Sequence, residues 1–401
     1  MVANLSKSMP FDAQHFLSRA DELRTFVESQ ADEAERLTHM TDETVETFHR
    51  EGLYRMLLPT ELGGSALSWV DAMRVVEKIA YADGSTGWCL MVGNVEVGAG
   101  GAYLGDEGIE HIFGHGNEIL IAGQGIPNGY AREVEGGYSI HGDYSYGSGI
   151  HHADYIHTGC ILMEGDKPKM LANGLPEVVI CHVDKKDITL KHNWDVMGLR
   201  ATGSYDYTID EMFVPAHLCH SFNLSEPLRG PNMYSLGLIG YTAWGHTSFA
   251  LGVGRRALDE VAELARTKGN VFGLLGEGAS FQERYARAEA SYRGAREFCY
   301  SAWGDICDTL SNGEKGSKEQ IALIRLAMRN IHEVVSDVCT FAHKAGGGVS
   351  LRPSVLQRCY RDIHAGTQHI LLSDQIMQDC GKVLLGMTPE TSEWTILGVK
   401  G

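Results

Sequence analysis

No Cys-x-x-Cys pair occurs in this chain, and its nine cysteines (Cys89, Cys160, Cys181, Cys219, Cys299, Cys307, Cys339, Cys359 and Cys380) are scattered and odd in number. That excludes a cysteine zinc ribbon and a dithiol redox motif, and it speaks against a disulfide framework. Proline is sparse, at 10 residues in 401, and no low-complexity tract interrupts the chain, so an ordered protein is expected almost throughout. Basic charge is in deficit: 34 Lys and Arg stand against 52 Asp and Glu, a formal net charge of −18. A nucleic-acid binder working through a basic footprint is thereby excluded. The opening M-V-A-N-L-S-K-S-M-P-F-D has no apolar core of the kind a signal peptide needs, so a cytoplasmic location is expected. One long uncharged run, Pro231 to Gly254, is broken by Tyr234, Tyr241, Trp244, His246 and several glycines, which predicts a buried helix lining a pocket rather than a membrane span.

What is present is a globular composition, 43% hydrophobic and 21% charged, long enough for two or three cooperating domains. Apolar residues recur at helical spacing from Asp12 to Phe113, as in Phe16, Leu17, Ala20, Leu23, Phe26 and Val27. From about Ile119 to Val214 the pattern turns to alternation, seen in Tyr138-Ser-Ile-His-Gly-Asp-Tyr-Ser-Tyr and Glu177-Val-Val-Ile-Cys-His-Val. Helical spacing returns after Pro231 and persists to the end. Helices, then strands, then helices predict an α+β protein. The expected boundaries are an N-terminal helical domain over 1–118, a central antiparallel β domain over 119–228, and a C-terminal helical bundle over 229–401.

Two familiar patterns carry little. Gly252-Val-Gly254-Arg-Arg-Ala257 satisfies the dinucleotide fingerprint, but that motif needs a preceding strand and here the preceding residues are helical, so close helix packing is expected. The 18 histidines include His111-x-x-x-His115, His151-His152 and His364-x-x-x-x-His369, none in a recognised ligand spacing, and no metal site is expected.

Three stretches are more specific. In Gly142-Asp-Tyr-Ser-Tyr146-Gly-Ser148-Gly149, alternation puts Tyr146 and Ser148 on one strand face with glycines around the hydroxyl. The others are Trp194-Asp-Val-Met-Gly198-Leu-Arg200-Ala-Thr-Gly203-Ser, and Ala345-Gly346-Gly347-Gly348 leading into Arg358-Cys-Tyr-Arg361-Asp362-Ile-His364-Ala365-Gly366-Thr-Gln-His369. Together with P-T-E-L-G-G at 59–64 and D-G-S-T-G-W at 83–88, their order resembles the acyl-CoA dehydrogenase superfamily over almost the whole chain. The resemblance implies a helical domain, a β-barrel-like domain and a four-helix bundle, a flavin between the last two, and a homotetramer. It places Tyr146 behind the isoalloxazine and Ser148 at flavin N5, with Gly149, Trp194 and Gly198 lining the cofactor. Gly346 and Gly347 fall near the cofactor tail of a neighbouring subunit, and Arg266 falls near the pyrophosphate arginine.

A dehydrogenase needs a carboxylate to take the α-proton of its substrate. The family's usual position for it carries Ala365 here, and no Asp or Glu occurs between Pro227 and Leu258. The chain is instead similar to the two-component flavin monooxygenases of the superfamily, including hydroxyphenylacetate hydroxylases, steroid-phenol hydroxylases and dibenzothiophene monooxygenase. These take diffusible reduced FMN or FAD from a separate NAD(P)H:flavin reductase and react it with O2 to a C4a-hydroperoxide that oxygenates a small aromatic substrate. The alternative is an FAD-dependent acyl-CoA dehydrogenase with a relocated base. In the monooxygenase reading Ser148 and His369 are catalytic, His369 serving as proton donor. The resemblance implies a substrate pocket walled by Trp88, Met91, Asn94, Tyr241, Trp244 and His246. Gly93-Asn94-Val95-Glu96 stands where some phenol hydroxylases carry a histidine, so phenolic and indolic substrates remain equal candidates.

Overall fold

The computed structural model describes residues 11–114, 118–271 and 273–400, without the Asn270 side chain. His115 and the first ten residues lie outside the described residues. Five helices come first: α1 (Ala13–Leu37), α2 (Asp42–Arg50), α3 (Trp69–Ala82), α4 (Gly84–Tyr103) and α5 (Asp106–Phe113). Eight strands follow: β1 (Ile121–Val134), β2 (Gly137–Gly147), β3 (Tyr155–Glu164), β4 (Lys167–Pro168), β5 (Val178–Asp184), β6 (Thr189–Leu190), β7 (Tyr205–Pro215) and β8 (Cys219–Ser221). Then come α6 (Gly237–Thr267), α7 (Ala279–Ser311), α8 (Lys318–Gly346), α9 (Val355–Gly366) and α10 (Asp374–Leu384).

α4 organises the N-terminal half. Asp83 caps it, accepting from the Thr86 N–H at 2.8 Å. Nearly every one of its residues is buried, because α4 lies between the other helices and the sheet. Its glycines permit that enclosure: a Cβ at Gly87 would collide with the backbone of Ala80 on α3. α6 is the central helix of the C-terminal half and packs on α3, α4, α8 and α9. Gly252 and Gly254 sit within α6, against Glu77 and Tyr81 of α3 and against Val335 and Tyr292, so the fingerprint-like run is helix packing. Among the described residues no helix is long and apolar enough to cross a membrane.

The sheet runs β6-β7-β2-β1-β3-β5-β8, with β4 on β3. It is mixed rather than antiparallel, since β1 and β3 pair in parallel. The cause is the loop from Ser148 to Asp154, which carries the chain from β2 over β1 so that β3 runs alongside β1. That crossover holds Ser148.

Candidate functional site

β2 does not keep its alternation to the end. The β2–β7 register shifts between Tyr144 and Gly147, and Tyr146 takes a left-handed backbone with φ 67°. Tyr146 and Ser148 therefore do not share a strand face as expected. Tyr146 is 66% exposed, with its ring edge-on to Trp194 at 6.1 Å, whereas Ser148 is buried in the turn beyond the strand. The Gly149 N–H donates to Thr202 O at 2.8 Å, which binds this turn to the loop 191–204; Gly149 itself has φ 75°.

The Ser148 hydroxyl has a defined orientation. Trp88 Nε1, on α4, donates to Ser148 Oγ at 3.1 Å. Thr202 Oγ1 gives its only hydrogen to Leu199 O at 2.9 Å, so in the 2.6 Å contact with Ser204 it accepts, and Ser204 donates. Ser204 then accepts from Ser148 at 2.8 Å. With its hydrogen committed inward, Ser148 Oγ has an acceptor lone pair to spare and no donor.

Around Trp88 stand His246 (ring centroids 4.8 Å apart), Phe249 (5.1 Å) and His369 (5.9 Å), with His246 and His369 only 4.1 Å apart. Burial, reinforced by the neighbouring His332, pushes His369 down to about 4. Burial also holds His246 well below its ordinary value. Both imidazoles are neutral at pH 7. His369 Nδ1 accepts from the Leu371 N–H at 3.4 Å, which leaves the proton on Nε2. The expected proton donor His369 is thus a neutral imidazole that donates a hydrogen bond from Nε2, because burial disfavours its charged form.

Several expected residues sit elsewhere. Asn94 is tied up within the chain, Nδ2 donating to Leu53 O and Leu90 O at 2.9 Å each and Oδ1 accepting from the Leu57 N–H at 3.3 Å; it binds α4 to the segment between α2 and α3 and has no hydrogen left for a substrate. Tyr241 and Trp244 are fully buried against Trp69, at 5.1 and 6.3 Å. Residues two apart on a helix face away from one another, so Trp244 turns from the site that His246 faces. Met91 packs against α6 at Gly245. Trp194 Nε1 donates to Leu199 O at 3.0 Å, and Gly198 abuts the Arg361 and Asp362 backbone so closely that a Cβ would not fit. Arg266 is exposed and paired with Glu263 at 2.7 Å, about 30 Å along α6 from His246 at 1.5 Å per residue. Gly346 and Gly347 lie at that same remote end, where Lys268 Nζ donates to Gly346 O.

Four contributors were missed by motif reading. Phe249 is three residues beyond His246 and so shares its face, a signal present in the sequence. Thr202, Ser204 and Asp362 lie within the quoted stretches, but their roles come from the hydrogen bonds that link Ser204 to Ser148 and Asp362 to Leu199. Asp362 Oδ1 accepts from the Leu199 N–H at 2.6 Å, and burial, with Asp83 nearby, raises this carboxyl to about 7.

Comparison with known proteins identifies the architecture. Residues 17–108 match the acyl-CoA dehydrogenase N-terminal domain, and residues 244–374 match the acyl-CoA dehydrogenase C-terminal domain. The chain belongs to the acyl-CoA dehydrogenase superfamily. Within that superfamily it is 29% identical over 369 residues to an indole-3-acetate monooxygenase of Pseudomonas putida, covering 89% of this chain and 90% of that one. It is 25% identical over 378 residues to the oxygenase subunit HsaA, a flavin-dependent monooxygenase of Rhodococcus jostii, covering 88% and 93%. Among solved structures, XiaF from Streptomyces sp., in complex with FADH2 and glycerol, shares the superfamily fold with a TM-score of 0.85 at 22% identity, covering 95% of this chain and 98% of that one.

Proposed function

We propose that this chain is the oxygenase component of a two-component flavin-dependent monooxygenase, acting on a small phenolic or indolic compound. Reduced FMN or FAD comes from a separate NAD(P)H:flavin reductase, and the enzyme works in the cytoplasm as a homotetramer. When bound, the reduced flavin supplies the electrons that activate O2 and passes one oxygen atom to the substrate.

The observation that carries this reading is the buried Ser148 hydroxyl, which offers an acceptor and no donor. Reduced flavin bears hydrogen on N5 and oxidised flavin does not, so Ser148 favours the reduced form. The exposed Tyr146 ring beside Trp194 gives a flat group an aromatic face, and the glycine backbone at 149 allows close approach. Trp88, Phe249 and the two neutral imidazoles exclude water and supply no titrating acid at neutral pH. His369 Nε2–H donates to oxygen in the pocket. His246 Nδ1 and His332 Nε2 are buried without partners and serve as polar handles for the substrate. Arg266, Gly346 and Gly347, remote from Ser148 in their own chain, act on the cofactor tail of a neighbouring subunit.

The alternative dehydrogenase lacks its base. Ala365 cannot take a proton, and Asp362 is turned to the Leu199 backbone.

Supplying the purified protein with reduced flavin, O2 and a panel of indoles and phenols tests the proposal. A product one oxygen heavier, formed at the expense of NAD(P)H through an added reductase, is expected. Tightly held oxidised FAD that an acyl-CoA bleaches without O2 uptake would overturn it.

A further inference from the structure

Three histidines remote in sequence meet inside the sheet. His157 on β3 stands directly opposite His182 on β5. His220 on β8 is opposite Ile180, two residues from His182, and so lies diagonally across the same sheet face. Each offers a ring nitrogen, all within 4.8 Å of one another, and all three residues are buried. α4 covers them. Its Glu96 carboxylate comes within 2.7 Å of His157 Nδ1, and Gly100, one turn on, leaves room for the His182 ring.

Several of these nitrogens lack a hydrogen-bond partner. Both ring nitrogens of His182 and Nε2 of His220 are buried without a hydrogen bond, and the His157–Glu96 pair, though close, is not aligned as one. Such an accumulation of unpaired polar atoms in a core calls for an occupant. His220 Nδ1 meets Ser221 O at 2.9 Å, which puts the hydrogen there and leaves Nε2 with a free lone pair.

We propose that His157, His182 and His220 bind a divalent first-row transition ion, zinc in the first instance, with the Glu96 carboxylate beside it. Metal–nitrogen bonds of about 2.1 Å at tetrahedral angles would set imidazole centroids about 5.2 Å apart. Here they are 5.2, 5.4 and 5.9 Å apart. His220 also borders a groove of about 250 Å³ between β5, β8 and Tyr138. Eight residues separate Trp88 from Glu96, about 12 Å along α4, so the ion is a brace between α4 and three strands and not a participant in the oxygenation.

The test uses untagged full-length protein, stripped with a chelator and titrated with zinc alone, then with cobalt. One zinc per chain is expected, with His182→Asn and His220→Asn each losing at least tenfold in affinity. His151→Asn controls for adventitious binding at the partly exposed His39, His151 and His152 group and is expected to keep full affinity. Cobalt is expected to give the visible absorption of a four-coordinate site in the unmutated protein, a readout that does not depend on any variant folding. Absence of saturable zinc binding, absence of that cobalt spectrum, or loss of binding in His151→Asn with retention in His182→Asn would each overturn the assignment.

Discussion

Trp88 Nε1 donates to Ser148 Oγ at 3.1 Å, joining the first turns of α4 to the crossover turn between β2 and β3. Because Ser204 takes the Ser148 hydrogen, the bond from Trp88 fixes which lone pair of Ser148 remains free. The N-terminal helical domain thereby sets the polarity of a hydroxyl that belongs to the sheet.

Ser148→Ala should therefore discriminate between flavin redox states. One neutral hydrogen bond is worth about 0.5–1.5 kcal/mol net, or roughly a 2- to 12-fold change in Kd. Anaerobic titrations should show reduced flavin weakened by that factor and oxidised flavin nearly unaffected. Equal weakening of both forms would mean that Ser148 does not read the N5 hydrogen.

His369→Ala should divert reducing equivalents to H2O2, on the order of tenfold relative to product, while His369→Asn, which keeps a donor, restores part of the coupling. Since burial pushes His369 down to about 4, the product-to-peroxide ratio should be flat from about pH 6 to pH 9 and change only as the pH falls toward that value. A ratio that titrates near 6.5 in the unmutated protein would contradict a buried neutral imidazole.

Much of the molecule is legible in the residues because helix and strand periods differ and because glycine and proline break them. The helix-strand-helix order and the buried α6 follow from local pattern, and the segments around Ser148 and His369 stand out through the resemblance to the acyl-CoA dehydrogenase superfamily. What does not follow is register. The bulge at Tyr146 breaks the alternation that would have put it on the Ser148 face, and the parallel β1–β3 pair depends on where the crossover loop lies. The convergence of His157, His182 and His220 likewise depends on strand pairing across gaps of 25 and 38 residues, where no spacing rule operates. Asn94 shows the converse error: a polar residue beside an expected pocket was read as a handle, whereas the backbone of Leu53, Leu57 and Leu90 consumes it.

Asp362 gives the protein a pH-dependent stability of unusual sign for a carboxylate. Its folded value, about 7, lies above the ordinary value of 3.8. Between those values the folded state holds a proton that the unfolded chain has lost. This contribution is complete below about pH 4 and is withdrawn as pH rises toward 7, with a limiting slope of about 1.4 kcal/mol per pH unit. Asp362→Asn, which can still accept from the Leu199 N–H, should abolish that part of the slope. Urea midpoints measured between pH 5 and pH 8 would show it, and parallel curves for both proteins would refute it.

The face of α6 on which a residue lies should decide whether it governs substrate binding. Phe249 shares the His246 face and packs on Trp88, so Phe249→Leu should raise KM for the aromatic substrate several-fold with little change in the unfolding temperature. Tyr241 lies about 140° around the helix from His246 and is buried on Trp69 and Tyr234, with its hydroxyl unpartnered. Tyr241→Phe removes a buried hydroxyl that bonds to nothing in the chain, so KM should hold while stability stays level or rises. If the order were reversed, with Tyr241→Phe raising KM and Phe249→Leu leaving it alone, the substrate would have to occupy the Trp69 side of α6, and the group around Ser148 and His369 would need another explanation.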